Sequence, residues 1–450
     1  MDEFHSSRSA SDLDAMPEIL SGSLSARSRR AKADPEWGAT CADAAWEWAR
    51  DADRHFRAVT EMHPTRRPLV RVGVKDNIHC REFATRLGCR NVRHYPRENA
   101  AVLTGVPPAN VTCKTLLTEV TLGRDAGCQN PLFAGDWPGA SSTGSAVAVA
   151  ANICDVSVGT DSVGSIRIPA VACGVVGLRL THAASLLRGV LPVSPSVDAP
   201  GWFARTLEDL QFALERFGLL GPASSRKPGP LRMGIVSEVL SDACDAPIRC
   251  AYEALGDRAL TAGVQTAQLT LGDVWDARVS AWELCAREAF ESLAAYGETF
   301  GPFGSDVAHV LKLGERIAPA AAEQTRVRQR PLGRALRRRL DDLAVDAFVL
   351  PVYPFALPSQ EEIEHWPMLF PDTQDPAAAA MAGYTPIASL LGWPALSIPT
   401  GHGRADRYRQ TGVQLVGRPH SEGLLLDIAT ALFSSRGDRR PPSSPLVAIR

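Results

Sequence analysis

Two serine-bearing turns and one lysine are the residues of this chain whose types and spacing suit covalent chemistry. Ser141 lies in Gly139-Ala140-Ser141-Ser142, and Ser165 lies in Ser162-Val163-Gly164-Ser165, 24 residues further on. The apolar runs between them are too short to span a membrane, and a flexible Gly/Ser tether would lack such runs. Two hydroxyl-presenting loops on a buried scaffold are therefore expected. Asp155 to Gly159 reads as a short strand and Ile166 to Cys173 as a helix, which puts Ser165 at a strand-to-helix turn. Backbone N–H groups are free to face an anion at such a turn. That is the geometry an acyl-transfer nucleophile needs.

Lys75 closes an apolar strand, Leu69 to Lys75, and Asp76-Asn77 follow as a turn. Its ammonium is placed either at a strand end facing a pocket or, as the plainer alternative, at a sheet edge or snorkelling outward. Lys114 in Val111-Thr-Cys-Lys-Thr competes as a second strand-end lysine. No glycine-rich loop precedes it, so it is not a phosphate loop. A Ser-His-Asp hydrolase would set its serine in Gly-x-Ser-x-Gly, a frame that neither serine has. His182, near the central stretch, reads as a structural histidine. No His-Glu-x-x-His motif or tight His/Cys/Asp cluster appears, so neither a metal nor a cofactor is expected.

The elements that must position these groups come from an ordinary globular composition, 45% hydrophobic and 22% charged over 450 residues. A net charge of −2 speaks against nucleic acid as a partner. No apolar run reaches about 18 residues, so no membrane span is expected. The acidic N-terminus is not a secretory signal. None of the ten cysteines forms a C-x-x-C pair, and Cys113, Cys154 and Cys173 read as buried thiols in a reducing cytoplasm. Residues 1–35 read as a flexible leader or one short helix, and 441–450 as a tail. Helical spacing of Ala44, Trp46, Ala49, Phe56 and Val59 predicts an amphipathic helix from Cys41 to Val59.

Further along, Gly144 to Asn152 reads as a buried helix, and Val175 to Leu180, Leu231 to Val236 and Ala347 to Pro351 as strands. An amphipathic helix starts at Thr206, a linker-like turn spans 222–230, and 240–340 is helical in pattern. Arg334 to Arg339 reads as a solvated helix face. Trp282, Phe290, Tyr353, Phe355 and Trp366 are candidate pocket walls or core residues.

At these residues the chain resembles the amidase signature family. The resemblance rests on Val-Gly-Val-Lys75-Asp-Asn-Ile, Gly139-Ala-Ser141-Ser-Thr-Gly-Ser145, Gly159-Thr-Asp-Ser-Val-Gly-Ser165-Ile-Arg-Ile-Pro169 and Cys173-Gly-Val-Val-Gly-Leu-Arg-Leu-Thr181. It continues through Leu350-Pro351, Gly392 to Gly401 and Val413 to Pro419, covering about residues 40–435. It implies an α/β fold with a mixed β-sheet core surrounded by helices, in a single domain over 36–440 whose 230–345 segment covers the substrate. It also implies a Ser–cis-Ser–Lys triad: Ser165 as nucleophile, Ser141 as the serine held by a non-proline cis peptide, and Lys75 as base. Backbone N–H groups of Ser162, Val163, Gly164 and Ser165 would form the oxyanion hole.

The implied reaction is hydrolysis of a linear carboxamide through an acyl-enzyme on Ser165, releasing acid and ammonia or amine. The partner is a small-molecule amide, with no cofactor, metal, nucleic acid or membrane, and a homodimer is compatible with it. Acyl transfer in a biosynthetic pathway and a reduced-activity subunit of a transamidation complex stay open. The second is motivated by Val163 and Thr143, two of several departures from the family pattern. Val163, Thr143 and Ala140 stand where the family usually has glycine, Asp136-Trp137 replace a basic-plus-small pair, and Ala388 takes a usual asparagine position. Val163 bears on the shape of the oxyanion loop, because a β-branched residue does not take φ > 0 comfortably.

Overall fold

A computed structural model describes residues 16–63, 66–220, 229–294, 302–365, 370, 371, 373, 383–401 and 411–433. The expectations for residues 1–15, for 222–228, for Trp366 and for the 441–450 tail lie outside these. Eleven strands among the described residues form one sheet. They are β1 (Val59–Met62), β2 (Val72–Lys75), β3 (Val111–Thr115), β4 (Val156–Asp161), β5 (Val176–Arg179), β6 (Ala199–Ala204), β7 (Arg232–Val236), β8 (Gln265–Leu269), β9 (Ala347–Pro351), β10 (Ala395–Gly401) and β11 (Thr411–Gly417). Their order across the sheet is β1-β3-β2-β4-β6-β5-β10-β11-β9-β7-β8. β2 runs parallel to β3 and β4, and β7 parallel to β8 and β9, while the remaining pairings are antiparallel. The expected mixed α/β sheet surrounded by helices is what the chain forms. No helix among the described residues is long and apolar enough to cross a membrane.

β2, β3, β4, β5, β6 and β9 are buried along their whole length. Such strands carry apolar or paired side chains on both faces because helices cover both. The helix Thr143–Ala150 is built from Ala, Val, Gly, Ser and Thr only, with no polar stripe, and Thr143 through Val149 are buried. A helix apolar all round belongs inside the molecule.

The helix expected at Cys41 runs from Pro35 to Phe56. Pro35 at its first position and the Asp34 carboxylate, which accepts the Trp37 N–H at 2.9 Å, start it earlier than the apolar spacing showed. Its buried stripe is Cys41, Ala45, Trp48, Ala49, Ala52 and Phe56, so the face is rotated from the one expected. Val59 opens β1 instead of closing the helix, and Trp46 stacks under the Arg67 guanidinium at 4.2 Å.

Other differences are strands the sequence pattern hid. β6 lies between β4 and β5, in a stretch where the sequence pattern marked only the helix from Thr206. β8 interrupts the helical 240–340 segment, and with β7 it extends the same sheet. The leader expectation resolves, where described, into a short helix at Leu24–Ala33. Arg334, Arg337, Arg338 and Arg339 are exposed on the helix Pro319–Asp342, as a solvated face requires.

One buried ionic cluster ties the N-terminal helix to the strands that carry the candidate site. Asp155, directly before β4, accepts from Arg27 Nη2 at 2.8 Å, from Arg71 Nη2 at 2.9 Å and Nε at 3.0 Å, and from the Arg71 N–H at 2.8 Å. Burial alone would raise its carboxyl, but the two guanidinium groups hold it far below the usual carboxylate range. A depressed pKa contributes stability above the unfolded-state value that is lost as pH falls. Asp155→Asn leaves two buried cations short of a partner and is expected to cost about 3–5 kcal/mol. Urea unfolding of the variant against the parent at pH 7 checks this, and a loss below about 1 kcal/mol would remove the cluster as a tie.

Candidate functional site

Lys75 ends β2, an interior strand flanked by β3 and β4, and its side chain is fully buried. The sheet-edge alternative is thereby excluded. Its Nζ donates to Ser141 Oγ at 2.8 Å and to Thr160 Oγ1 at 2.8 Å. Desolvation lowers its pKa to about 7, while the more distant charges of Asp198 and Asp161 hold it up. Asn77, on the turn after the strand, donates to the same Thr160 hydroxyl at 3.3 Å. Lys114 is equally buried but serves elsewhere: its Nζ donates to the Ile78 carbonyl at 2.5 Å and lies 3.8 Å from Asp76. Burial lowers it to about 8 and raises Asp76 to about 6.

Ser141 sits on the loop that enters the helix Thr143–Ala150 and is 3% exposed. Gly139 holds the loop close to the neighbouring helix. Its φ of +112° and the 2.4 Å between a built Cβ and Pro169 Cα admit no side chain. The cis peptide expected at Ser141 is not present, since no peptide bond among the described residues is cis. The trans form is the ordinary state of a non-proline bond, and it leaves Ser141 Oγ within reach of Lys75. Ser142 Oγ donates to the Thr160 carbonyl at 2.9 Å, fastening the same loop to β4.

Ser165 follows β4 and precedes the helix Arg167–Ala172, as expected. Unlike Ser141 it is partly exposed. No hydrogen bond joins the two serines among the described residues, so the site is drawn together at Lys75 and Ser141, with Ser165 open on the adjoining turn. Asp161 shapes that turn. Its carboxylate accepts the Gly164 N–H and the Ile166 N–H, each at 3.0 Å, together with Arg167 Nη2 at 2.7 Å and Arg179 Nη1 at 3.0 Å. Burial would raise it, but Arg167 and Arg179 hold it well below the carboxylate range. Gly164 was expected to aim its N–H into an oxyanion hole, and here that N–H is spent on Asp161. Those of Ser162, Val163 and Ser165 have no partner among the described residues.

The departure at Val163 costs no backbone strain. Val163, Thr143 and Ala140 all lie outside the positive-φ residues, and Gly164 alone takes φ +140°. The Val163 side chain is 4% exposed and packs in the core, while its carbonyl accepts from Thr385 Oγ1 at 2.6 Å. Arg167 braces the turn from beneath, donating to the Thr385 carbonyl at 2.5 Å, to Gln414 Oε1 at 2.8 Å and to Ser389 Oγ at 2.9 Å.

Sequence reading missed Thr160, Asp161, Arg167, Arg179 and Asp198. A signal was available for three of them, because Thr160, Asp161 and Arg167 are polar positions inside an apolar stretch, where a polar group needs a partner. His182 is structural, donating from Nδ1 to the Asp198 carbonyl at 2.7 Å. Trp282 and Tyr353 are buried, Trp282 against Phe370 at 4.9 Å, whereas Phe290 and Phe355 are partly exposed.

The family model described as Amidase matches residues 23–426. The chain is similar to the 2-amino-5-chloromuconic acid deaminase of Comamonas testosteroni, 31% identical over 308 residues, which are 66% of this chain and 63% of that protein, under two thirds of its length. It is similar to a glutamyl-tRNA(Gln) amidotransferase subunit of Deinococcus deserti, 29% identical over 416 residues, covering 81% and 82% of the two chains. Among solved structures, an amidase superposes with a TM-score of 0.75 at 24% identity, covering 92% of this chain and 99% of that one. A 6-aminohexanoate cyclic dimer hydrolase in complex with substrate superposes with a TM-score of 0.78 at 21% identity, over 95% and 99%.

Gly164 sets a test of the turn. A built Cβ there would meet Thr385 Oγ1 at 2.7 Å and Ile168 Cδ1 at 2.9 Å. Gly164→Ala is expected to cost about 1–3 kcal/mol, measured by chemical unfolding, because both the φ and the space are wrong. An unchanged unfolding midpoint would show that the turn adapts freely.

Proposed function

The chain belongs to the amidase family, and on that premise we propose that it hydrolyses a small, uncharged, linear carboxamide through an acyl-enzyme on Ser165, releasing acid and ammonia or amine. The observation that supports this best is the fully buried Lys75 Nζ at 2.8 Å from Ser141 Oγ. A lysine titrating near 10.4 is a cation at neutral pH and cannot take a proton. Burial brings Lys75 to about 7, so a large share is neutral at physiological pH.

Neutral Lys75 accepts the Ser141 proton as Ser141 takes that of Ser165, and Ser165 Oγ attacks the substrate carbonyl. The tetrahedral oxyanion is met by the uncommitted N–H groups of Ser162, Val163 and Ser165. Collapse breaks the C–N bond, and the proton held at Lys75 returns through Ser141 to the leaving nitrogen. Water, activated by the same relay, then attacks the ester and releases the acid.

A second reading, a subunit that supplies ammonia to a partner, draws support from the amidotransferase relative, which aligns over more than four fifths of both chains. The first half-reaction is the same in both readings. Ammonia release from a panel of simple amides by the isolated chain favours the hydrolase, and release only with a co-purifying partner favours the subunit. The buried thiols, among them Cys113, Cys154 and Cys173, fit a reducing compartment such as the cytoplasm.

Ser165→Ala is expected to abolish turnover, and intact-mass analysis after a fluorophosphonate should find one adduct, at Ser165 of the parent. An adduct on any other serine sinks the assignment. Lys75→Ala should lose activity chiefly in kcat, and an unchanged rate removes Lys75 as base. Because the neutral amine is the active form and burial lowers its pKa, the rate should climb with pH through about 7. A rate that is flat from pH 5.5 to 8.5 would contradict the assignment.

A further inference from the structure

Asp198 is a buried carboxylate that neither the sequence motifs nor the relay uses. It lies at the start of the strand pairing with β4, and it is 4% exposed. One oxygen accepts the Ser162 hydroxyl at 2.5 Å, and the other accepts the N–H groups of Val193 and Ser194 at 2.8 and 2.9 Å. The segment that carries it is held from its far side. Glu288, buried on the helix Arg278–Ala294, accepts from Ser194 Oγ at 2.6 Å, from Ser196 Oγ at 2.5 Å and from the Ser196 N–H at 3.0 Å. Arg326 from the next long helix donates to Glu288 at 2.8 Å. A run of charged and polar contacts thus leads from the outer helices to the first residue of the turn that ends in Ser165.

Resting on the hydrolase reading above, we propose that Asp198 is a positioning residue of the reaction. Its carboxylate fixes Ser162 and, through it, the direction of the N–H groups and of Ser165. Two anchors hold the turn. Asp161 takes the Gly164 and Ile166 N–H groups from below, and Asp198 takes the Ser162 side chain at the other end. With the Gly164 end fixed by Asp161, the Ser162 end depends on Asp198.

The charges around Lys75 are few. Its own hydrogen-bond partners are the neutral hydroxyls of Ser141 and Thr160, and the carboxylates acting on it are Asp198 and Asp161. Asp161 is neutralised by Arg167 and Arg179 at hydrogen-bond distance. Burial raises the Asp198 carboxyl, the Ser162 hydroxyl and the Ser194 and Val193 N–H groups hold it down, Arg179 does so more weakly, and Cys285 lies within its field on the helix Arg278–Ala294. Removing the Asp198 charge therefore takes away an interaction that favours the ammonium. The pKa of Lys75 falls, and the neutral base persists to lower pH.

The test uses the full chain and the rate of fluorophosphonate labelling of Ser165, followed by intact mass from pH 5 to 9, which needs no knowledge of the natural substrate. Asp198→Asn keeps the shape and removes the charge, whereas Ser162→Ala removes the hydrogen bond and leaves the carboxyl group in place. Both should slow labelling at the pH plateau by about tenfold or more, the effect of a displaced reacting geometry. Only Asp198→Asn should also move the acid limb to lower pH. Circular dichroism and unfolding midpoints confirm that each variant is folded, and Asp198→Glu serves as a charge-retaining third variant, expected to keep the parent limb. Plateau rates within twofold of the parent, or an Asp198→Asn limb that does not move, overturn the proposal. If the parent itself is not labelled at Ser165, the hydrolase reading fails and not merely this one.

Discussion

Desolvation of Lys75 is the constraint on which the site depends. An ammonium on an interior strand loses its water, and among the described residues no carboxylate stands within ion-pair distance to compensate. Its hydrogen-bond partners among the described residues are two hydroxyls. Lys114, one strand away and just as buried, shows the alternative outcome. The Ile78 carbonyl accepts from its ammonium and the Asp76 carboxylate lies 3.8 Å away, so a negative group stands within ion-pair distance of this charge. Two lysines of the same type, burial and strand-end placement are thus separated by their neighbours. One is kept as an ion-paired structural group, and the other is brought toward its neutral form beside a serine.

The turn after β4, which carries Ser165, is held by charge. Asp161, Arg167 and Arg179 are fully buried, and their polar atoms reach five elements: β4, β5, the helix Arg167–Ala172, the helix Pro386–Leu391 and β11. Taking three such groups out of water is costly, and the Coulomb gain offsets that only when geometry is good and the remaining donors are satisfied. Arg167 meets that condition through Thr385, Gln414 and Ser389. The node need not add net stability to be useful. Breaking it would leave an uncompensated charge in the core, so the turn has one arrangement and few nearby alternatives.

Much of this was legible in the chain, and the limits have physical causes. The strand ending at Lys75, the strand read over Asp155 to Gly159 that forms most of β4, the buried helix after Ser141 and the placement of Ser165 between strand and helix followed from local patterns. β6 escaped because Pro200 and Gly201 are turn formers in isolation. In the sheet, Gly201 is required, as a built Cβ would lie 2.2 Å from the Leu178 carbonyl oxygen of the neighbouring strand. β8 escaped because it is the outermost strand and largely exposed, and so lacks the apolar alternation that marks a strand. Arg167 was visible as a residue but not as a brace, since its partner Gln414 is 247 positions away. Pairings of that range leave no trace in local periodicity.

The three positions where glycine was expected show where sequence comparison misleads. A missing glycine matters when its φ is needed, and here the needed φ falls on Gly139 and Gly164 while Ala140, Thr143 and Val163 occupy ordinary backbone. Their side chains do not project into open space either: Thr143 is 1% exposed, Val163 4% and Ala140 9%. The added carbons therefore fill the core beneath the two loops. Val163 and Thr143 are β-branched, so each keeps little rotamer freedom where it is buried. The glycine departures at Ala140, Thr143 and Val163 are thus absorbed by ordinary, buried backbone, and a reduced-activity reading draws nothing from backbone strain at these positions.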